Sequence, residues 1–337
     1  MKHIDYQRVS DVGQAVQQLD PLHRPLAGGT DMLGLLKLGV VGPDSLIDIK
    51  TSDLSASIEE REDGLHLGAL TTLTQIAQSD IIAARAPLLI EASRLAATRQ
   101  IRNRATLAGN LLQMPRCWYF RDGDVDCWLK QEGSPTDRAQ EDNCPAEHGR
   151  NEHHAIFQTS PCHAVHPSDI APCLLALDAR FKVKGPSGMQ SRPLNDLFAP
   201  PDAKHRRQTR LDPQELITGI EIPLLPTGSA GSAYVKAMDR KAWAFALASC
   251  AVSMVVRDRK VVHLRVVLGG VASIPWRLKE LEHEMQGAAL DPKKLEAAAS
   301  RAMAAAAPLS RNAYKVELAT QLVNQAVQQA HHAASAV

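Results

Sequence analysis

The stretch Pro25-Leu26-Ala27-Gly28-Gly29-Thr30-Asp31-Met32 decides the fold of this chain. An apolar run enters two glycines, a hydroxyl and a carboxylate, and a helical pattern from Met32 to Leu38 follows at once. Paired glycines expose successive backbone N–H groups and allow close approach, and such a concavity at a helix N-terminus suits a diphosphate. A tight turn between strand and helix is the simpler alternative. The stretch is neither a G-x-G-x-x-G fingerprint nor a Walker loop, which excludes those two nucleotide-binding classes.

A second stretch, Gln100-Ile101-Arg102-Asn103-Arg104-Ala105-Thr106-Leu107-Ala108-Gly109-Asn110-Leu111, decides between these alternatives. The two stretches together resemble the FAD-binding subunits of molybdenum hydroxylases, the xanthine dehydrogenase, aldehyde oxidoreductase and CO dehydrogenase family. The resemblance covers nearly the whole chain. It implies an α+β protein, with a two-lobed FAD-binding fold of the vanillyl-alcohol oxidase type followed by a C-terminal α+β domain of the CO dehydrogenase flavoprotein type.

Composition limits the other function classes. The 337 residues can bury one large or two modest cores. Lys+Arg 38 against Asp+Glu 37 leaves almost no net charge, so we expect neither nucleic-acid binding nor membrane insertion. The N-terminus lacks the apolar segment of a signal peptide, and the apolar run from Ala242 to Val256 is too short to span a bilayer. We therefore expect a soluble cytoplasmic protein, or a periplasmic one exported with a signal-bearing partner.

The chain divides into an FAD-binding domain over residues 1–226 and a C-terminal domain over 227–337. Within the first, lobe 1 covers about 1–55 and lobe 2 about 56–226, and residues 113–163 form an insert without periodicity or an apolar face. The boundary rests on Pro223, Pro226 and Gly228. Periodicity predicts helices over Val12–Leu19, Ile81–Ala97, Ile170–Leu177, Trp276–Met285, Pro292–Ala305 and Ala313–Ala330, and a hairpin over Arg180–Leu194.

The resemblance implies the flavin site residue by residue. Residues 25–32 would wrap the diphosphate, and the second stretch would supply further contacts. Asp169 stands in a Ser-Asp pair ahead of a helix, the backbone of Ile217 would lie beside the flavin, and Lys236 would lie near the isoalloxazine edge. The predicted FAD-binding residues are Pro25, Leu26, Ala27, Gly28, Gly29, Thr30, Asp31, Met32, Thr106, Gly109, Asn110, Asp169, Ile217 and Lys236.

Four cysteines lie in or at the edge of the insert: Cys117, Cys127, Cys144 and Cys162. They form no C-x-x-C knuckle, which disfavours a zinc ribbon, and their spacing alone is weak evidence for an iron–sulfur cluster. A subset of the family, resembling the periplasmic aldehyde oxidoreductases of enterobacteria, carries a [4Fe–4S] cluster in this insert, which opens with the Asn-Leu-Leu-Gln-x-x-Arg-Cys seen here at Asn110 to Cys117. The resemblance therefore implies these four ligands, with Cys144 in a differently composed stretch. The metal would order this polar segment.

The remaining reactive side chains receive simpler interpretations. Cys173 and Cys250 lie in apolar stretches and are predicted to fill the core. The histidines at 148, 153, 154, 163 and 166 are predicted to form a solvated surface, with His163 and His166 the candidates for supporting metal ligands. No Ser-His-Asp or paired-carboxylate arrangement is visible, so we predict no catalytic residue.

These observations predict an electron-transfer subunit of a heterotrimeric aldehyde oxidoreductase. By resemblance, its partners would be a molybdopterin-binding large subunit and a [2Fe–2S] small subunit, and electrons would leave through FAD to an external acceptor. Three alternatives remain: a subunit like that of 4-hydroxybenzoyl-CoA reductase, which runs electrons in the other direction; a xanthine dehydrogenase subunit; and a free-standing flavoprotein oxidase. The last of these usually carries a covalent flavin, and no histidine lies in the stretch Ala27 to Thr30.

Overall fold

A computed structural model describes residues 3–130, 144–241 and 243–336. The architecture is α+β, as predicted, and it is built on three separate sheets of three, five and four strands. The middle sheet and the helices inserted into it surround one large core, the third sheet with the last three helices encloses another, and the N-terminal sheet has a small core of its own.

The N-terminal sheet is parallel, with strand order β1-β3-β2. Its strands alternate with two short helices, as the glycine-containing stretch predicts. The Asp11 carboxylate caps the first helix by accepting from the N–H of Gln14. The elements are β1 (Asp5–Arg8), α1 (Val12–Gln18), β2 (His23–Leu26), α2 (Met32–Lys37) and β3 (Ser45–Asp48).

The middle sheet is antiparallel, with strand order β4-β5-β8-β6-β7. Its strands are β4 (Ile58–Arg61), β5 (Gly64–Gly68), β6 (Arg180–Gly185), β7 (Gly188–Pro193) and β8 (Leu216–Pro223). The predicted hairpin over Arg180–Leu194 is confirmed as β6 and β7. The helices inserted between β5 and β6 are α3 (Leu73–Gln78), α4 (Asp80–Arg85), α5 (Pro87–Leu95), α6 (Arg99–Arg102), α7 (Leu107–Leu111), α8 (Trp118–Arg121) and α9 (Ile170–Ala176).

The single helix predicted over Ile81–Ala97 is wrong. The chain forms α4 and α5 with Ala86 between them, and Pro87 occupies the first position of the second helix. Proline cannot donate the backbone hydrogen bond of a helix interior, whereas it suits a first turn. The apolar periodicity continues across the break because both helices bury one face in the same core.

The C-terminal sheet is antiparallel, with strand order β12-β11-β10-β9. Its elements are β9 (Ser229–Ala237), β10 (Ala248–Arg257), β11 (Lys260–Gly269), β12 (Trp276–Arg277), α10 (Lys279–Met285), α11 (Pro292–Ala302) and α12 (Tyr314–Ser335). The predicted helix over Trp276–Met285 begins later, because Trp276 and Arg277 pair with β11. The Trp276 ring stacks on Phe157 at 4.7 Å between centroids. No helix among the described residues is both long and apolar enough to cross a bilayer.

The insert has an apolar face that the sequence did not reveal. Phe120, Trp128 and Leu129 are buried with Cys127, Cys162 and Leu35 of α2 in a small core of their own. The apolar residues come from three separate places in the chain, so no local periodicity marks them. Part of the predicted insert, residues 131–143, lies outside the described residues.

Candidate functional site

A cavity of about 520 Å³ lies where the two glycine-containing stretches, the insert and the C-terminal domain meet. Several predicted flavin residues line it, namely Thr30, Asp31, Gly109, Asn110 and Asp169. The insert contributes Cys117, Trp118, His153 and His154, and the loop between β9 and β10 contributes Trp243 and Phe245. The lining thus combines aromatic and apolar side chains with a few polar ones, which is typical of a site for a large aromatic cofactor.

The two glycine-containing stretches touch each other through their backbones. A Cβ atom on Gly28 would lie 1.8 Å from the carbonyl oxygen of Arg104, so only glycine fits there. Gly29 has φ +74°, a left-handed conformation that L side chains rarely adopt. Thr106 caps α7 by accepting from the N–H of Gly109. The contact brings the two loops together beside the cavity, and a glycine-containing loop in such a place fits a dinucleotide cofactor such as FAD.

Asp31 connects the first stretch to the insert. Its carboxylate accepts from the guanidinium of Arg121 at 2.7 Å, from that of Arg116 at 2.9 Å and from the N–H of Met114 at 2.9 Å. The side chains of Asp31 and Arg121 are 16% and 11% exposed. Arg116 also lies over the ring of Phe245 at 4.8 Å. Asp31 was predicted as an FAD ligand, and the structure gives it the further role of anchoring the start of the insert.

We expect Asp31→Asn to loosen the insert. The substitution removes the charge from a half-buried carboxylate with two guanidinium partners, and such a loss costs about 2 kcal/mol. Hydrogen exchange of the backbone from Met114 to Arg121 should become faster and the melting temperature should fall. Asp63→Asn is the matched control, because the Asp63 side chain is 72% exposed and pairs with His66. Unchanged exchange at Met114 in Asp31→Asn would contradict this role.

A second polar network fixes the cavity wall behind Asn110. The Ser168 hydroxyl donates to the Asn110 side-chain oxygen at 2.6 Å and accepts from the N–H of Ala171. His166 is buried, with Nε2 3.2 Å from the Leu111 carbonyl and Nδ1 3.4 Å from the N–H of Ser168. Both contacts suit a neutral imidazole that donates at Nε2 and accepts at Nδ1. Burial lowers the pKa of His166 to about 4.

This lowered pKa predicts acid sensitivity. Between pH 6.5 and pH 4 the unfolded chain binds a proton at His166 that the folded chain does not, so the free energy of unfolding should fall as the pH falls through this window. Below pH 4 the free energy of unfolding has lost about 3 kcal/mol through His166. Burial also lowers the pKa of His154 to about 4, so it adds to the same loss. In urea unfolding at several pH values, the free energy of unfolding of His166→Gln should fall less steeply with falling pH than that of the wild-type chain. An identical pH dependence in the two proteins would contradict the assignment.

The other predicted FAD-binding residues do not line the cavity. Pro25, Leu26, Ala27, Gly28, Gly29, Met32 and Thr106 belong to the two stretches beside it, whereas Ile217 and Lys236 lie on strands. Ile217 is buried in β8 within the core of the middle sheet. The Lys236 side chain is fully buried, and its ammonium lies 2.8 Å from the carboxylate of Asp169. The Tyr234 hydroxyl donates to the other oxygen of Asp169 at 2.7 Å. Their assignments as FAD-binding residues remain predictions, and the described contact of Lys236 with the cavity runs through Asp169.

The four insert cysteines lie near enough to influence one another's ionisation, and one of them, Cys117, lines the cavity. Burial raises the pKa of Cys117 to about 12, and the charges of Cys127 and Cys144 raise it further. Burial likewise raises the pKa of Cys162, with contributions from the other three thiols. Within the described ranges, no three His, Cys, Asp or Glu side chains converge on a point as ligands of a single ion do. The described residues therefore form no metal site, and the [4Fe–4S] cluster stays a prediction.

The histidines differ from the predicted solvated surface. His154, His163 and His166 are buried, and that part of the prediction is wrong. His154 Nε2 lies 3.2 Å from the Cys117 sulfur, so His154 rather than His163 or His166 contacts a predicted ligand. Its burial depends on Asn312 and Lys315 of the C-terminal domain, which bond the His154 carbonyl. A sequence pattern cannot reveal this because the partners are far apart along the chain.

Cys173 and Cys250 are buried, as predicted. Cys173 belongs to the core of the FAD-binding region and Cys250 to the core of the C-terminal sheet. Burial raises the pKa of both thiols, which makes them unreactive.

Sequence reasoning missed three residues with contacts at the site, Arg116, Arg121 and Tyr234. Arg116 and Arg121 lie on either side of Cys117 and the aromatic run Trp118-Tyr119-Phe120, and these two charges in an otherwise uncharged segment were the available signal. Tyr234 stands two residues before Lys236 on β9, so the two side chains point to the same face of the strand.

Comparison with known proteins agrees with this geometry. The family described as "FAD binding domain in molybdopterin dehydrogenase" matches residues 2–225, and "CO dehydrogenase flavoprotein C-terminal domain" matches residues 233–330. The aldehyde oxidoreductase FAD-binding subunit PaoB of Escherichia coli is 35% identical over 95% of each chain. The carbon monoxide dehydrogenase medium chain of Hydrogenophaga pseudoflava is 29% identical over 96% of this chain and 95% of its own.

The fold leads to the same relatives. A structure of carbon monoxide dehydrogenase from Hydrogenophaga pseudoflava superposes with a TM-score of 0.76 at 26% identity, covering 98% of both chains. The predicted fold class is thereby confirmed. The chain belongs to the FAD-binding medium subunits of the molybdenum hydroxylase family, a class of oxidoreductase subunits.

Proposed function

We propose that this chain is the FAD-binding electron-transfer subunit of a molybdenum-containing aldehyde oxidoreductase. The observation that carries the proposal is its 35% identity to the FAD-binding subunit of such an enzyme over 95% of both chains. Its partners would be a molybdopterin-binding large subunit and a [2Fe–2S] small subunit, and an external acceptor would remove the electrons. FAD, when bound, would accept electrons from these partners and release them to the acceptor.

The residues of this chain would hold and orient the cofactor. The loop over residues 25–32 would supply backbone N–H groups for the diphosphate. The first N–H groups of α7 are bonded to Thr71, Ala69 and Thr106, so α7 would hold the loop in place. Asn110 and Asp169 would present polar atoms to the cofactor, and the exposed rings of Trp243 and Phe245 also line the cavity. We also propose that the boundary between the two domains lies near residue 227, between the end of β8 at Pro223 and the start of β9 at Ser229.

Three ionisable side chains of the cavity, those of Asp31, Asp169 and His154, are engaged in holding its walls. Asp31 is bonded to two arginines, Asp169 to Lys236 and Tyr234, and His154 contacts Cys117. Groups committed in this way are unsuited to abstracting a proton or attacking a carbonyl. This supports a chain that moves electrons and leaves substrate oxidation to another polypeptide.

We further propose that Cys117, Cys127, Cys144 and Cys162 hold a [4Fe–4S] cluster. The mutual electrostatic influence of these thiols, the burial of three of them and the absence of disulfides among the described cysteines support this assignment. The donor set fits, since thiolates are the usual ligands of such clusters. Cluster binding would release the thiol protons that burial now retains.

Co-expression with candidate large and small subunits tests the electron-transfer role. The chain should co-purify with both, and chemically reduced protein should pass electrons to an artificial acceptor such as a tetrazolium dye. An isolated chain that stays monomeric in the presence of both partners, or a flavin that cannot be reoxidised by the dye, would contradict the proposal.

A further inference from the structure

The buried ammonium of Lys236 has no hydrogen left for a ligand. It donates to the Asp169 carboxylate at 2.8 Å, to the Ala244 carbonyl at 2.9 Å and to the Leu95 carbonyl at 3.1 Å. A lysine ammonium has three N–H groups and no acceptor, so these contacts use all of them. The side chain is 0% exposed. Lys236 therefore cannot reach a molecule in the cavity without breaking one of these bonds.

Asp169 differs because it faces the cavity. Its carboxylate lines the wall and its side chain is 7% exposed. One oxygen accepts from Lys236 and the other from the Tyr234 hydroxyl. A carboxylate has about four lone-pair sites, so acceptor capacity remains towards the cavity. Burial raises the pKa of Asp169, and the adjacent Lys236 and Tyr234 oppose that rise.

The three residues join the two halves of the protein. Tyr234 and Lys236 project from the same face of β9 in the C-terminal domain. Asp169 belongs to the FAD-binding region and directly precedes α9. The Lys236 contact with Ala244 adds the loop that carries Trp243 and Phe245 at the opening. An arrangement of this kind holds one carboxylate at a fixed position while it neutralises its charge.

We propose that Tyr234 and Lys236 are positioning residues that act on FAD through Asp169. They hold the Asp169 carboxylate so that it accepts a hydrogen bond from a hydroxyl or N–H group of the cofactor. The positive charge of Lys236 balances the negative charge of this carboxylate. The inference rests on FAD binding in the cavity described above. It differs from the predicted direct contact between Lys236 and the isoalloxazine.

A double-mutant cycle on the full-length chain, stripped of flavin and titrated with FAD, tests this inference. Asp169→Asn, Lys236→Met and Tyr234→Phe should each raise the Kd of FAD, the first two by tenfold or more. Adding Tyr234→Phe or Lys236→Met to Asp169→Asn should change the Kd by less than threefold. Effects that multiply in the double variants would show that Tyr234 or Lys236 acts on the flavin independently of Asp169 and would overturn the inference.

The reduction potential of the bound flavin distinguishes a positioning role of these residues from a role in stabilising the fold alone. Loss of the negative charge in Asp169→Asn should raise the potential, and loss of the positive charge in Lys236→Met should lower it. Tyr314→Phe is the matched control, because its hydroxyl bonds the Glu152 carbonyl away from Asp169. It should leave both Kd and potential unchanged. Equal potentials in all folded variants would overturn the inference, whereas a wild-type chain that binds no FAD would contradict the proposed function itself.

Discussion

Gly28→Val is expected to reduce bound FAD from about one per chain to less than a tenth of that. A Cβ atom at this position would lie 1.8 Å from the backbone carbonyl oxygen of Arg104. Backbone cannot swing aside as a flexible side chain does, so the two cofactor loops must separate. Separation moves the N–H groups of the first loop out of position for the diphosphate. The flavin content of the purified protein, measured by absorbance after denaturation, gives the result directly.

Two further variants make the interpretation specific. Gly42→Ala is the matched control, because a Cβ atom there meets nothing within 4 Å, and it should retain full flavin. Gly29→Val should also lose flavin, though for another reason: its φ of +74° is strained for any L side chain, while the nearest atoms are the flexible side chain of Leu33. Circular dichroism must show folded protein in each case. A folded Gly28→Val variant with the full flavin content would contradict the claim that FAD binding requires the contact between the two loops.

Replacement of any of the four insert cysteines is expected to cause the second large effect. Anaerobically purified protein should contain about four iron atoms and four sulfides per chain, as the cluster type requires. Cys117→Ser, Cys127→Ser, Cys144→Ser and Cys162→Ser should each lose most of the iron. Loss of the cluster should also destabilise the insert, since the metal would join cysteines that lie far apart along the chain.

Cys173→Ser and Cys250→Ser provide the matched controls. Both thiols are buried in apolar cores that contain none of the four insert cysteines, so these variants should keep full iron while they lose some stability. Iron lost from Cys250→Ser, or an intact cluster in Cys144→Ser, would show that the ligand set is wrong. Wild-type protein without iron would refute the cluster and leave the flavin site untouched.

The sequence predicted those parts of the protein that depend on local chemistry. Gly28 and Gly29 marked the cofactor loop because close approach requires glycine, and residues such as Asp11 and Thr72 marked helix starts because they cap the first turn. Proline marks boundaries in the same local way, and the prediction over Ile81–Ala97 failed because apolar periodicity was followed past Pro87.

Contacts between distant segments were not predictable. Asp31 was assigned to the diphosphate by resemblance, yet its bonds to Arg116 and Arg121 depend on how the insert folds back. Lys236 and Tyr234 reach Asp169 only because β9 packs against the FAD-binding region. The histidines were predicted to be solvated because they lie in a polar segment. Composition gives no information on distant partners such as Lys315, which bonds the His154 carbonyl and helps to bury this segment. Contacts between distant segments of the chain determine where these side chains lie and what they bind.

Anaerobic reduction of the flavin by an aldehyde is the most direct test of the electron-transfer role. The isolated chain with FAD bound should show no bleaching of the flavin absorption band when an aldehyde is added, because the cavity groups hold its walls and another polypeptide would oxidise the substrate. Bleaching should begin when the molybdenum and [2Fe–2S] subunits are added to the same cuvette. Bleaching by aldehyde in the isolated chain would contradict the account and would indicate a self-sufficient oxidase.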